Sequence, residues 1–130
     1  MPDPVRVLLV ALGGAVGSVL RYLVSGWTQT GAGGSSFPTG TLVVNVAGCF
    51  LIGILSQLGE ARGFLGPDAR ALLMVGLLGG FTTFSAFGNE TMNALRDGAV
   101  GLALLNVAAN LGLGLAAVWI GRVAAHLIWS

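Results

Sequence analysis

The stretch GGFTTFSAFGNE, from Gly79 to Glu90, sits inside an otherwise apolar run that begins near Ala71 and ends near Leu95. Glycine and β-branched threonine are poor helix formers, and here two of each stand side by side. Thr82, Thr83, Ser85 and Asn89 also set hydroxyls and an amide among the rings of Phe81, Phe84 and Phe87. Counted from Ala71 at about 1.5 Å per residue, Gly79 to Thr83 falls about 12–18 Å along the run, near the middle of a hydrocarbon core about 30 Å thick. A helix broken at that depth frees backbone carbonyls, which persist only when buried in protein or lining a cavity, where they commonly coordinate an ion. The alternative is a continuous helix with close-packed glycines and hydroxyls bonded back to the preceding turn.

Composition makes the bilayer the solvent of the whole chain. Of 130 residues (13.1 kDa), 55% are hydrophobic and 8% charged, with a mean hydropathy of +0.88; a soluble domain needs about a quarter of its residues charged. Lys is absent and the net charge is +1, so the clustered basic face of a nucleic-acid binder is missing and no nucleic-acid partner is expected. Cys49 and His126 are single, which leaves no internal disulfide and no Cys/His cluster for a structural metal. No nucleophile has a base spaced to activate it, so an enzyme is not expected.

Spanning the core takes about 20 apolar residues, and four segments qualify: 5–24, 41–58, 71–95 and 99–126. The expectation is an all-α membrane protein, one four-helix transmembrane domain over residues 1–130. Arg6 ahead of an apolar run resembles a secretory leader, but three more runs follow, so it reads as a first span. ALGGAVGS (Ala11 to Ser18) has Leu12 where a dinucleotide-binding loop wants its first glycine, and is set aside. The loops fall at Ser25 to Gly40, Glu60 to Asp68 and Asn93 to Gly98. Arg6, Arg62, Arg70 and Arg122 lie on the face that holds both termini, against Arg21 and Arg96 on the other. Arginine placement sets orientation, and so thin a bias is compatible with copies inserting both ways as well as with a single orientation. Gly13/Gly17 and Gly76/Gly80 form GxxxG pairs, which let helix backbones approach closely, either between copies or within one chain.

Phe81, Phe84 and Phe87 recur every third residue and drift slowly round one side of a helix. Alone they would be a lipid-facing or core stripe; interleaved with hydroxyls, they can turn their positive ring edges toward a small anion. Thr41 and Asn45 share one face of the second span, Asn106 and Asn110 one face of the fourth. Each pair could glue helices together, and three spans with such faces point to an ion-lined pathway. Arg21, Asn45 and Glu90 belong toward one membrane face, where Arg21 and Glu90 either shape a vestibule or form an interfacial ion pair.

Taken together, GGFTTFSAFGNE, GTLVVNVAG, GGAVGSVLRY and NVAANLGLG, one from each span and in order, resemble the fluoride channels of the Fluc/CrcB family. The resemblance implies an antiparallel, dual-topology homodimer in the prokaryotic inner (plasma) membrane, with the third helix broken at mid-span, that exports cytoplasmic fluoride passively. It also implies a structural sodium ion held by the backbone carbonyls of Gly79 and Thr82 of each copy. Fluoride-lining roles carry over to Phe84 and Phe87 as edge-on rings and to Asn45 as amide donor, with Ser85 and Thr41 as supporting hydroxyls and Asn106 and Asn110 continuing the pathway. Three departures stand out: Ala86 and Gly88 occupy positions where the family usually has hydroxyls, and Gly114 offers none on the fourth span. The rival is a small proton-coupled multidrug transporter, also a dual-topology dimer of four-span chains. It wants an acidic residue deep in the first span, where this chain has none.

Overall fold

A computed structural model describes residues 1–129 as helices joined by short turns. α1 spans Pro4–Gly31, α2 Thr39–Arg62, α3 Pro67–Arg96 and α4 Val100–Trp129, all long and apolar enough to cross a membrane. Asp3 caps α1 by accepting the Val5 N–H at 2.9 Å, with proline at the first helical position. The first and second helices outrun the apolar segments from which residues 5–24 and 41–58 are predicted. Polar side chains extend them: the Thr28 hydroxyl donates to the Val24 carbonyl at 2.7 Å, and Gln29 ties down the loop, donating to the Ser35 and Phe37 carbonyls and accepting the Gly40 N–H. α2 stops at Gly63, whose φ of 63° favours glycine. Gly98, at φ 78°, turns the chain between α3 and α4.

Large side chains face out and small ones in, the reverse of a soluble bundle. Leu8, Leu12, Val16 and Val19 of α1 each expose more than half of their surface, as do Leu104, Leu105, Leu111 and Leu115 of α4. Except for Val44, Leu78 and Phe87, the buried apolar residues are alanines, and buried glycines join them on every helix. This arrangement suits helices that pack by close approach among acyl chains. Charges gather toward the helix ends, in the pairs Arg6–Asp68 (3.0 Å), Arg122–Glu60 (3.0 Å) and Arg96–Asp97 (3.4 Å).

α1 packs along the first part of α3, and α2 along α4. Both GxxxG pairs work within the chain, in the first of these seams. A Cβ on Gly13 would strike the Leu72 carbonyl and one on Gly17 the Leu77 carbonyl; from the other side, Gly76 and Gly80 lie against the backbones of Gly13 and Gly14. The second seam repeats the device, with Gly53 against the Val118 carbonyl and Gly121 against that of Phe50.

Candidate ion site at the interruption of α3

Winding is not uniform along α3. Pro67–Arg70 is α-helical, Ala71–Leu78 is π-helical, and Gly79–Phe81 returns to α. Thr82 (φ −88°, ψ 159°) and Thr83 (φ −150°, ψ 117°) are then extended, and Phe84–Arg96 starts a new α-helix. The glycines therefore remain helical, held by α1, and the two threonines carry the extended backbone. β-branching favours extended conformations, and the Thr83 side chain caps the new helix by accepting the Ala86 N–H at 3.1 Å. Its hydroxyl also lies 3.2 Å from that of Ser85.

Three redirected bonds account for much of the freed backbone. The Thr83 N–H, which would close an α-helical bond on the Gly79 carbonyl, donates to Asn45 Oδ1 at 2.8 Å. Asn45 Nδ2 donates back to the Thr83 carbonyl at 3.1 Å, so one amide grips both polar groups of a residue, as a neighbouring strand would. The Gly80 carbonyl accepts Arg21 Nε at 3.0 Å. Ala86 N–H, spent on the cap, no longer reaches the Thr82 carbonyl. Gly79 and Thr82 are thus left with carbonyls that have lost their helical donors. Gly79 is exposed and a Cβ there would meet only the Met74 carbonyl, at 3.8 Å.

The interruption also parts the phenylalanines. Phe84 is 80% exposed and Phe87 is 9% exposed; their centroids stand 5.4 Å apart with planes inclined at 57°, a geometry that turns edge toward face. Phe81 sits near Gly48 on α2. The three-residue stripe of an unbroken helix is therefore absent, and Phe84 and Phe87 remain together. They line a cavity of 330 Å³ with Asn45, Thr82, Thr83, Asn110 and Gly79.

A second, more polar cavity of 670 Å³ opens among Gln29, Thr41, Glu90, Asp97 and Asn106. Here the Thr41 hydroxyl donates to the Glu90 carboxylate. Arg21, bonded to Gly80, does not line this space and makes no ion pair with Glu90 among the described residues. Glu90 and Thr41 form the cavity wall, and Arg21 braces the interruption instead.

Asn106 and Asn110 turn inward. Asn45 Nδ2 donates to Asn110 Oδ1 at 3.1 Å, Asn110 Nδ2 to Asn106 Oδ1 at 2.9 Å, and Asn106 Nδ2 to the Thr91 hydroxyl at 2.9 Å. That hydroxyl donates to the Phe87 carbonyl at 2.8 Å. Sequence reasoning does not single out Thr91 or Thr83 as organisers. The available sign for Thr91 is its place four residues after Phe87, where a threonine hydroxyl bonds the preceding turn.

Residues 8–122 match the family described as CrcB-like protein, Camphor Resistance (CrcB). A fluoride-specific ion channel of Methylobacillus flagellatus is 47% identical over 116 residues, 89% of this chain and 91% of that one. One of Shewanella sp. (strain W3-18-1) is 51% identical over 117 residues, 90% and 93% of the respective chains. Another, from Opitutus terrae, is 51% identical over 120 residues, covering 91% and 90%.

Proposed function

This chain belongs to the CrcB family, and from that membership we infer a fluoride channel in a membrane, not an enzyme. The observation that carries the ion-handling reading is the Thr82–Thr83 interruption, which brings Gly79 and Thr82, whose carbonyls have lost their helical donors, and a tilted ring pair to the lining of one cavity. Thr82 and Thr83 are the sixteenth and seventeenth of the 30 residues of α3, so with α3 crossing the membrane the interruption would fall near the midplane, where only protein or a lined cavity tolerates extended backbone.

Fluoride is small and tightly hydrated, so a pathway must offer enough donors to replace water yet hold the ion loosely enough for it to leave. The edges of Phe84 and Phe87 supply partial positive charge without a fixed cation that would trap it. Ser85 and Thr41 add hydroxyls, Thr41 only by turning its single proton away from the Glu90 carboxylate. Asn45 lines the ring cavity, and an anion passing it competes with Asn110 Oδ1 for one amide hydrogen. Thr41 and Glu90, with Asn106 on the same cavity, form the wider approach, and Arg21 keeps its role at Gly80.

The Gly79 carbonyl, without its helical donor on an open face beside the exposed Phe84 ring, is better covered by protein than by lipid. A second copy in the opposite orientation, related by an axis in the membrane plane, supplies that cover and brings the two interruptions together. The carbonyl oxygens of Gly79 and Thr82 suit a hard monovalent cation, because their helical donors have been diverted. Bound there, sodium would offset the converging carbonyl dipoles and tie the copies to each other. In the prokaryotic inner membrane, fluoride that enters as neutral hydrofluoric acid ionises in the cytoplasm and leaves through this pathway down its gradient.

Purified protein in liposomes loaded with fluoride tests the reading. Fluoride efflux without chloride efflux, indifferent to a proton gradient, is the expected result. Proton-driven uptake of an organic cation without fluoride movement would overturn it.

A further inference from the structure

One series of hydrogen bonds runs donor to acceptor through Asn45, with side branches from Asn45 Nδ2 back to the Thr83 carbonyl and from Asn110 Nδ2 to the Asn106 carbonyl. The Thr83 N–H donates to Asn45, Asn45 to Asn110, Asn110 to Asn106, Asn106 to Thr91, and Thr91 to the Phe87 carbonyl. The series leaves the backbone of α3 at Thr83, crosses α2 and α4, and returns to α3 at Phe87. Between those two points lies the turn that carries both rings. Hydrogen bonds aligned donor to acceptor polarise one another, so such a series is stiffer than its separate links. Asn106 borders the polar cavity yet is only 1% exposed, so little water reaches its amide if the Thr91 hydroxyl is lost, and an unpaired buried donor is costly.

We propose that Thr91, acting through Asn106, is a positioning residue that fixes where the Phe87 ring stands relative to the interruption. This deepens the fluoride-channel reading and rests on it. Thr91 touches neither the ring cavity nor the polar cavity, so its effect on ion passage is transmitted through the bonded series. Its methyl group fills space as valine would, whereas its hydroxyl alone completes the link; the two contributions are separable by substitution.

The test compares Thr91→Val with Thr91→Ser in liposomes, measuring fluoride and chloride efflux alongside recovery of assembled protein. Thr91→Val keeps the shape and is expected to lower fluoride efflux about tenfold, the scale of one unpaired buried donor, and to erode the preference over chloride. Thr91→Ser keeps the hydroxyl and is expected to hold both close to the parent protein. Parent-like efflux and preference in Thr91→Val would overturn the proposal, as would equal losses in Val and Ser.

Asn106→Leu supplies a second arm should Thr91→Val not fold, since it removes the donor to Thr91 without placing a charge beside the polar cavity and leaves Asn110 the Asn106 backbone carbonyl to donate to. It is expected to erode the chloride preference in the same way, and the double variant to add little, because members of one bonded series are non-additive. Additive losses would show independent roles and sink the relay. A parent protein that passes no fluoride would instead sink the channel reading; a parent that conducts beside an unaltered Thr91→Val sinks only this inference.

Discussion

Two seams hold α3, and they solve opposite problems. Against α1 the contact is backbone on backbone: Gly13, Gly17, Gly76 and Gly80 remove side chains so that main chains touch. Against α2 and α4 the contact is amide on backbone: Asn45 replaces the bonds a helix loses at Thr83, and Asn110 and Asn106 hold Asn45. The first seam keeps Gly79–Phe81 helical although glycine invites unwinding; the second keeps Thr82 and Thr83 extended where lipid would punish free polar groups. Small residues set distance, and amides set conformation.

Substitutions that exchange these roles break the comparison most sharply. Gly17→Val should have the largest effect, because its side chain meets the Leu77 carbonyl and backbone cannot step aside. Overpacking of this kind costs about 1–3 kcal/mol or more, and we expect no monodisperse protein on size-exclusion chromatography. Asn45→Leu should come next, since it strands both polar groups of Thr83 at about 1–3 kcal/mol each; protein is recovered in reduced yield, with fluoride efflux at the level of empty liposomes. An active Asn45→Leu channel would show that the amide is dispensable for the interruption.

Phe84→Ile and Phe87→Ile should suppress fluoride efflux while the protein still assembles, with the lower recovery for the buried Phe87. Unchanged efflux in both would count against the ring edges. Replacing sodium by a large organic cation on both sides should weaken efflux in the unmodified protein if the Gly79 and Thr82 carbonyls hold that ion; indifference to the exchange removes the site. Gly101→Ala, where a Cβ meets nothing within 4 Å, should have the smallest effect. Helix propensity favours alanine by about 1 kcal/mol, so the melting temperature should stay level or rise.

Four helices and the special nature of Gly79 to Thr83 are legible in the sequence because apolar length and β-branched residues are local properties. The position of the extended residues is not, since whether glycine or threonine yields depends on α1 pressing on Gly76 and Gly80. Spacing places Asn106 and Asn110 on one face, but the direction in which an amide donates depends on what the neighbouring helix offers. Arg21 is an instance: counting along the span puts it near an interface with Glu90, whereas the freed Gly80 carbonyl captures it. The end of α1 and the start of α2 escape an apolar-length criterion because Thr28 and Gln29 make polar bonds there, to the Val24 carbonyl and from the Gly40 N–H.

The wide coil of Ala71–Leu78 acts as a phase adjuster for all that follows it. Each residue of an α-helix turns the chain by about 100°, so the azimuth at which Gly79 presents its oxygen, and Phe84 its ring, depends on how many residues the wide segment absorbs. Removing one residue there would swing the threonine kink toward a different neighbour while leaving its own composition untouched. Length in that segment is therefore constrained as tightly as chemistry at the kink, and a shortened chain with every polar residue intact should still be silent.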